Sequence, residues 1–387
     1  AFDRLGQLLA QSTIPKKVVF IDEMPWMDSP RSNFLSALEH FWNGWASARK
    51  DILLIVCGSA TSWIINKVIK NHGGLHNRVS VRIHLKPFCL RECELYSEEM
   101  GLRFNRRQVL EGYMIMGGVP FYWSQLKSGM SLAQSINQLF FSEDGSLRHE
   151  FDDLYDSLFK QPKPYLSIVD ALATKKVGMT RTEILRATKL TDNGKLTEYL
   201  ENLEYCGFIR KYNCIGMKAK NALFQLMDNY TLFYYKFIKD SYINDAQYWT
   251  KITGKPEYNT WCGLAFERVC LQHVEQIKAK LGIQGVITTV YSWSVVGSKE
   301  KPGAQIDLLI DRNDDVINLC EIKYSKAPFQ ITNTIDASLQ NKRERFIQET
   351  GTEKAVHLTM ITTMGLSDNP YAWDVQSVVT MDDLFVL

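Results

Sequence analysis

The sequence predicts a multidomain α/β protein, and three observations predict it. Two short apolar runs, at residues 17–21 and 51–57, end in polar residues and flank an amphipathic stretch. A basic stretch near residues 160–225 combines helix and strand patterns. Toward the C-terminus, two strand patterns that carry acidic residues flank a short turn. Alternating strands and helices favour a parallel sheet and a hairpin favours an antiparallel one, so more than one domain is expected.

The composition is that of an ordinary globular protein. Of 387 residues, 45% are hydrophobic and 23% are charged, with a formal net charge of +2, which excludes disorder, collagen and a polyanion-binding tail. The eight cysteines show no zinc-site or disulfide-framework spacing, so we expect reduced thiols and a cytoplasmic location. No apolar run reaches the roughly 18 residues of a membrane-spanning helix, and we expect no membrane partner.

The first strand pattern ends in two carboxylates. Residues 17–21 lie between Pro15 and Pro25 and lead into Asp22 and Glu23. Such a run is typical of a central parallel strand, and ligands of open α/β sheets bind beyond the carboxyl ends of these strands. The functional interpretation is a nucleotide site in which Asp22 holds Mg²⁺ and Glu23 polarises the attacking water. The alternative is a strand that ends in acids by chance.

The next elements continue the alternation. Residues 32–48 have the apolar spacing of an amphipathic helix, and the second strand pattern leads into Ser59, whose hydroxyl could sense a γ-phosphate. After another helix pattern, residues 75–80 lead into a third strand pattern at Val81–Leu85.

Four stretches in this order resemble the archaeal-type AAA+/STAND ATPases, which also occur widely in bacteria. They read FIDEMPW (20–26), LLIVCGSA (53–60), LHNRVSVRIHLKPF (75–88) and MGGVPFYW (116–123). By this resemblance, Asp22 and Glu23 are Walker B acids and Ser59 is a sensor residue. Arg78 would contact nucleotide or a neighbouring subunit, although Asn77 stands where a glycine is common. The resemblance implies ATP and Mg²⁺ as cofactors and allows a homo-oligomer.

The phosphate-binding loop of such ATPases has no counterpart in these residues. No G-x-x-x-x-G-K-[ST] motif occurs, and the GK pairs at 194–195 and 254–255 lack its other residues. The backbone and lysine of that loop cradle the β- and γ-phosphates. Because the chain begins with Ala1 rather than Met, we expect the loop upstream, and we expect no ATP hydrolysis by these residues alone.

The middle of the chain predicts helices and then a winged helix. Residues 89–160 are helical in pattern, and the resemblance implies a helical lid, although a plain connector needs the same residues. Between residues 160 and 225, twelve basic residues outnumber six acidic ones. Three helix patterns (165–173, 181–188 and 194–206) precede two strand patterns (208–212 and 222–226), with Gly207 suited to end the third helix.

This winged helix has two interpretations. Its third helix could enter a major groove, but Glu198, Glu201 and Glu204 are spaced three apart on one face and would repel phosphates. Lys218 and Lys220 of the wing are therefore better candidates for DNA contact. The alternative is a rigid packing module, and the glutamates argue against a winged-helix transcription regulator.

The C-terminal segment carries two carboxylates and a lysine on neighbouring strands. Strand patterns occupy residues 290–295, 305–311 and 316–323, with an Asn-Asp-Asp turn at 313–315. Because side chains alternate along a strand, Glu321 and Lys323 share a face, and Asp307 is expected beside Glu321. Two carboxylates suit Mg²⁺, and the lysine can orient or deprotonate a water that attacks a phosphodiester.

Asp307 and Glu321-Ile322-Lys323, with Glu267 upstream on a helix pattern at 260–280, resemble the PD-(D/E)xK restriction-endonuclease-like fold. The resemblance implies Mg²⁺ at Asp307 and Glu321 and support from Glu267. The alternative is a surface salt bridge within Glu321 and Lys323, worth under about 1 kcal/mol. A basic helix pattern from residue 340 carries Lys342 and Arg343, which could contact a nucleic-acid backbone or simply face solvent.

The predicted organisation has four parts. They are a partial P-loop NTPase parallel sheet (1–88), a helical lid (89–160), a winged helix (161–227) and a C-terminal restriction-endonuclease-like α/β domain (228–387). The expected function is an ATP-binding AAA+/STAND-type ATPase coupled to a DNA-directed, Mg²⁺-dependent nuclease-like domain. The alternative is a non-catalytic, nucleotide-switched scaffold that binds DNA or a protein.

Overall fold

A computed structural model describes residues 1–29, 31–58, 61–64, 67–68, 75, 78–215, 222–239, 245–298 and 301–386. The strands within these residues are β1 Lys17–Ile21, β2 Ile52–Val56, β3 Met179–Thr180, β4 Ile209–Tyr212, β5 Leu223–Leu226, β6 Thr288–Val295, β7 Ala304–Arg312, β8 Val316–Lys323, β9 Ala355–Thr362 and β10 Ser377–Thr380.

The α-helices of the same residues are α1 Phe2–Gln11, α2 Met24–Met27, α3 Phe34–Gly44, α4 Thr61–Ile64, α5 Leu90–Glu99, α6 Arg106–Met116, α7 Pro120–Ser124, α8 Leu132–Ile136, α9 Glu150–Leu158, α10 Pro162–Ala173, α11 Arg181–Thr188, α12 Gly194–Tyr205, α13 Asn229–Phe237, α14 Tyr248–Ile252, α15 Pro256–Gln272, α16 Val274–Lys280 and α17 Asn333–Thr350. None of these helices combines the length and the apolarity that crossing a membrane requires.

The chain divides into two compact units. The first contains residues 1–85, 155–166 and 190–207, and the second contains residues 86–154, 167–189 and 208–387. The expected alternation of strands and helices is confirmed in the first unit, where β1 and β2 pair in parallel from Lys17–Ile52 to Ile21–Val56. The predicted α/β class, with parallel strands, is therefore confirmed.

The sheet of the first unit is covered on one face. Its inner face packs against a core that includes Ile21, Leu38 and Phe41. On its outer face, Phe20 is 57% exposed and Leu53 is 56% exposed. A central parallel strand, which the first pattern predicts, is usually buried on both faces, but the helices of the described residues cover only the side to which Ile21 points.

The strand predicted at Val81–Leu85 is wrong. These residues have no regular secondary structure, and Val81, Ile83 and Leu85 are each more than 70% exposed. A strand is stabilised by hydrogen bonds to a neighbouring strand, and none among the described residues pairs with this segment. The helices predicted for residues 89–160 are confirmed as α5–α9, whereas their role as a lid stays a prediction.

The elements predicted for the winged helix are present. Helices α10, α11 and α12 precede the hairpin β4–β5, and β3 pairs with β5 to complete a three-stranded antiparallel sheet. Gly207 has a φ of +79°, a conformation that favours glycine, directly after the last turn of α12. Because α12 belongs to the first unit and the sheet to the second, the assembly of these elements into a winged helix stays a prediction.

The C-terminal part of the second unit is a five-stranded mixed sheet in the order β10-β9-β8-β7-β6. Strands β6, β7 and β8 form an antiparallel meander, whereas β9 and β10 run parallel to β8. Helix α17 packs on one face, where its Phe346 joins Leu309 and Leu319 in the core. Helix α15 also packs against β8. The order of elements is α15, α16, three antiparallel strands, α17 and a parallel strand.

The single helix predicted for residues 260–280 is two helices. Helix α15 begins earlier, at Pro256, and His273 separates it from α16. The imidazole of His273 is buried, with Nδ1 donating to the carbonyl oxygen of Val269 at 2.8 Å and Nε2 accepting from the backbone N–H of Leu90 at 3.0 Å. His273 itself has φ −116° and ψ 34°, outside the α-helical region, which separates the two helices.

Candidate functional site

The hairpin β7–β8 carries Asp307 and Glu321 on adjacent strands. Its register pairs Leu308 with Cys320 and Leu309 with Leu319. Glu321 lies on the α17 side, because Leu319, two residues away on β8, packs in the core beneath α17. Strand β7 has an irregular register between Ile306 and Leu309, which both belong to that core, so alternation does not assign Asp307 to the same face. The expected placement of Asp307 beside Glu321 therefore stays a prediction.

Glu321 is held by two lysines. Its side chain is 11% exposed, with Lys323 Nζ 2.8 Å from Oε1 and Lys342 Nζ 2.6 Å from Oε2. Burial favours the neutral carboxyl, but the charges of Lys342 and Lys323 outweigh burial and keep the pKa of Glu321 below its ordinary value. Glu321 is therefore ionised at neutral pH and accepts from an ammonium group at each oxygen.

Asp307 is oriented from its own strand and from the neighbouring one. The side-chain amide of Gln305 donates to Asp307 Oδ1 at 2.6 Å, because residues two apart on β7 share a face. The hydroxyl of Ser292, on β6, donates to the carbonyl oxygen of Asp307 at 2.8 Å. The backbone and the side chain of Asp307 are thus both fixed.

Glu267 lies in a different set of contacts. It is buried on α15, where Arg268 Nη1 donates to Oε1 at 2.9 Å and Lys176 Nζ lies 2.6 Å from Oε2. The described part of the chain holds no group of three or more His, Cys, Asp or Glu side chains arranged to bind a metal ion. The structure therefore does not join Glu267 to Asp307 and Glu321 as a third carboxylate.

Two carboxylates are nonetheless enough protein ligands for Mg²⁺ when water and substrate phosphate oxygens supply its other ligands. Mg²⁺ commonly keeps several waters and binds one or two carboxylates together with phosphate oxygens. Asp307 and Glu321 meet this requirement in residue type and in placement on adjacent strands. At least one ammonium group would have to leave Glu321 when the cation binds.

The two acids after β1 are placed at the carboxyl end of the parallel sheet, as predicted. Asp22 is exposed, and its Oδ1 accepts from the backbone N–H of Glu23 at 2.9 Å. Glu23 has a φ of 45°, a left-handed conformation that non-glycine residues rarely adopt and that is frequent at functional sites. Burial, and next a hydrogen bond to Asp22, raises the pKa of the Cys57 thiol at the end of β2.

The remaining predicted residues have varied placements. Arg78 is exposed, and Ser59, Lys218 and Lys220 lie outside the described residues. Arg343 Nη2 donates to the side-chain oxygen of Gln340 on the same helix at 2.6 Å. Lys342 pairs with Glu321, so its expected contact with a nucleic-acid backbone stays a prediction.

Sequence reasoning missed several residues of this site. Gln305 has a local signal, because its spacing of two from Asp307 puts both on one face. The pairing of Lys342 with Glu321 has none, since it depends on where α17 crosses the sheet. The same is true of Lys176, which comes from a segment about 90 residues before Glu267.

Comparison with known proteins gives similarities of sequence and of structure. No protein-family model matches the chain. The chain is 24% identical over 313 residues to an uncharacterized protein of Methanocaldococcus jannaschii, covering 80% of this chain and 67% of that protein. Among solved structures, it is similar to a Walker-type ATPase of Pyrococcus abyssi, with a TM-score of 0.39 and 17% identity over 60% of this chain. This chain spans 65% of that ATPase.

Proposed function

We propose that this chain is an ATP-binding, AAA+/STAND-type ATPase component coupled to a DNA-directed, Mg²⁺-dependent nuclease-like domain. The observation that supports the nuclease part is that Asp307 and Glu321 lie on the adjacent strands β7 and β8, with Lys323 on the same face as Glu321. The order of elements from α15 to β9 agrees with the restriction-endonuclease-like fold that the sequence resembles. The ATPase part is supported by the four ordered sequence stretches and by the acids that follow β1.

Asp307 and Glu321 are the residues that would hold the metal ion. When bound, Mg²⁺ would polarise the phosphoryl oxygen and lower the pKa of a coordinated water. Gln305 would keep Asp307 Oδ1 oriented through its 2.6 Å hydrogen bond. Lys323 Nζ, released from Glu321, would orient the water whose oxygen attacks the phosphorus. As that P–O bond forms, the P–O bond to the leaving strand breaks, the water loses a proton to solvent and the departing oxygen takes one from solvent.

The test of this proposal is metal-dependent nicking of supercoiled plasmid DNA by the full chain. We expect nicking with Mg²⁺ or Mn²⁺ and its loss in Asp307→Asn, which keeps the size of the side chain but removes its charge. Asp368→Asn is the matched control, because Asp368 is exposed and outside the site. Nicking that survives in Asp307→Asn, or that is absent with both metals, would contradict the nuclease activity.

A second candidate is the non-catalytic scaffold that binds DNA or a protein. The observation that favours it is that both oxygens of Glu321 already have ammonium partners. If both ion pairs persist in the presence of metal ions, their role is structural, and the pair with Lys342 links β8 to α17. The scaffold then predicts that Mn²⁺ leaves the thermal unfolding of the chain unchanged, whereas the nuclease proposal predicts stabilisation that Asp307→Asn abolishes.

A further inference from the structure

A second cluster of charged side chains lies near Asp307. We call it the guanidinium cluster, and its members are Lys176, Arg210, Tyr212, Glu267 and Arg268. The nuclease-like site described above uses none of its basic members.

Arg210 has neutral partners in this cluster. Its Nε donates to the side-chain oxygen of Gln225 at 2.7 Å, across the β4–β5 pair, and its guanidinium lies 4.4 Å from the centre of the Tyr212 ring. Burial, followed by the positive charge of Arg268, lowers the pKa of Arg210 to about 10. The guanidinium remains charged at neutral pH, in surroundings that disfavour an uncompensated charge.

Arg268 and Lys176 compete for a single carboxylate. Arg268 is 4% exposed, and it donates from Nη1 to Glu267 and from Nη2 to the carbonyl oxygen of Lys176 at 2.7 Å. Its Nε is buried without a hydrogen-bond partner in the described structure. Lys176 Nζ occupies the other oxygen of Glu267. Lys176, Arg210 and Arg268 thus carry three positive charges, against the two carboxylates of Glu267 and Asp307 that act on them, which leaves one positive charge available to an anion.

The polypeptide connects this cluster to the nuclease-like site. Beyond β4, Cys214 forms a parallel bridge with Ser292, and the N–H of Ile215 donates to the carbonyl oxygen of Ser292 at 3.2 Å. Ser292 in turn donates its hydroxyl to the carbonyl oxygen of Asp307. The carboxylates of Glu267 and Asp307 both act electrostatically on Arg210. The three-stranded sheet and the five-stranded sheet thus meet at Asp307.

We propose that the guanidinium cluster binds a backbone phosphate of the DNA strand that the nuclease-like site engages, with Arg210 as the principal contact. The inference rests on the proposed function for its ligand, and it assigns a substrate-positioning role to strand β4. A guanidinium presents parallel donors that match two phosphate oxygens, and the ring of Tyr212 restrains its plane. A phosphate would also compensate the excess positive charge.

The experiment measures binding of a labelled DNA duplex to the full chain in EDTA, where no cleavage can occur, between about 50 and 200 mM salt. Arg210→Gln is compared with Arg103→Gln, the same change at an exposed arginine between α5 and α6. We expect Arg210→Gln to weaken binding about tenfold and to reduce the slope of log K against log salt by about 1. Arg103→Gln should change neither quantity.

Equal affinity and slope for wild type and Arg210→Gln would overturn the inference, as would an equal loss in Arg103→Gln. If circular dichroism shows that Arg210→Gln does not fold, the affinity and the salt slope of Lys176→Gln are measured in its place. The side chain of Lys176 is 44% exposed, so this change should leave the fold intact. The two proposals fail separately. If DNA binding depends on Arg210 but the chain does not nick DNA, only the proposed nuclease activity is contradicted. If the chain nicks DNA and Arg210→Gln binds DNA normally, only the proposed phosphate contact is contradicted.

Discussion

Replacement of Glu321 by Gln tests whether the buried carboxylate between β8 and α17 is ionised and stabilises the fold. Two ammonium groups lie 2.8 and 2.6 Å from its oxygens. Hydrogen bonds to charged groups contribute about 1.5–3 kcal/mol each, and breaking a buried ion pair costs about 3–5 kcal/mol. Lys323 is 39% exposed and can return to water, and glutamine still accepts one hydrogen bond. We therefore expect Glu321→Gln to lower the free energy of unfolding by about 2–3 kcal/mol at pH 7.

The assay is urea denaturation of the full chain followed by circular dichroism. The matched control is Glu275→Gln, because Lys278 Nζ also lies 3.1 Å from both oxygens of Glu275, whose side chain is 77% exposed. Exposed pairs contribute little, so this control should change stability by less than about 0.5 kcal/mol. A loss below about 1 kcal/mol in Glu321→Gln, or an equal loss in both variants, would refute the reasoning.

The same variant has a predicted pH dependence. The folded-state pKa of Glu321 lies below its unfolded value, so its stabilisation is present above the unfolded pKa and disappears as pH falls through the folded pKa. Because glutamine does not titrate, the stabilities of wild type and Glu321→Gln should converge in acid. Parallel curves down to the acid limit of folding would contradict the assignment of an ionised Glu321.

Three further predictions follow from single side chains. Lys342→Met removes an ammonium that competes with a metal ion for Glu321, so calorimetry should show Mn²⁺ binding about tenfold more tightly. Lys278→Met is the control and should leave Mn²⁺ affinity unchanged. Unchanged or weaker Mn²⁺ binding by Lys342→Met would contradict the competition. Burial lowers the pKa of His273 to about 4, so between pH 6.5 and 4 only the unfolded state binds a proton at this side chain. The free energy of unfolding of wild type should therefore fall by up to about 3 kcal/mol over this interval. That of His273→Gln, which does not titrate, should fall by less. A Cβ at Gly118 would lie 1.8 Å from the carbonyl oxygen of Phe88, so Gly118→Ala should lower the free energy of unfolding in urea by about 2–3 kcal/mol. Gly263 on α15 has open space at this position, so Gly263→Ala should raise the free energy of unfolding by up to about 1 kcal/mol.

Local patterns predicted the hairpin that carries the candidate site. The alternation along β7 and β8 and the Asn-Asp-Asp turn are properties of adjacent residues, so the strands and the faces of Glu321 and Lys323 could be derived from spacing. The strand at Val81–Leu85 shows the limit of such patterns. Its alternation is equally regular, but no neighbouring strand of the described residues pairs with it.

The partners of the acidic residues could not be derived in this way. Glu267 was expected to support a metal ion, yet its neighbours are Lys176 and Arg268, and Lys342 pairs with Glu321. These contacts join segments between 21 and about 90 residues apart, except for the adjacent Arg268. Their formation depends on how helices cross the sheet, which residue spacing does not encode.

The sequence by itself determined the α/β class, the parallel pair that ends in Asp22 and Glu23, and the strands that carry Asp307 and Glu321. It did so because periodicity and turn chemistry act over a few residues. Only the tertiary structure decided which cations meet which carboxylates, and that strand β4 brings Arg210 to the neighbourhood of Asp307. Charge pairing operates across space between elements that the chain brings together only on folding.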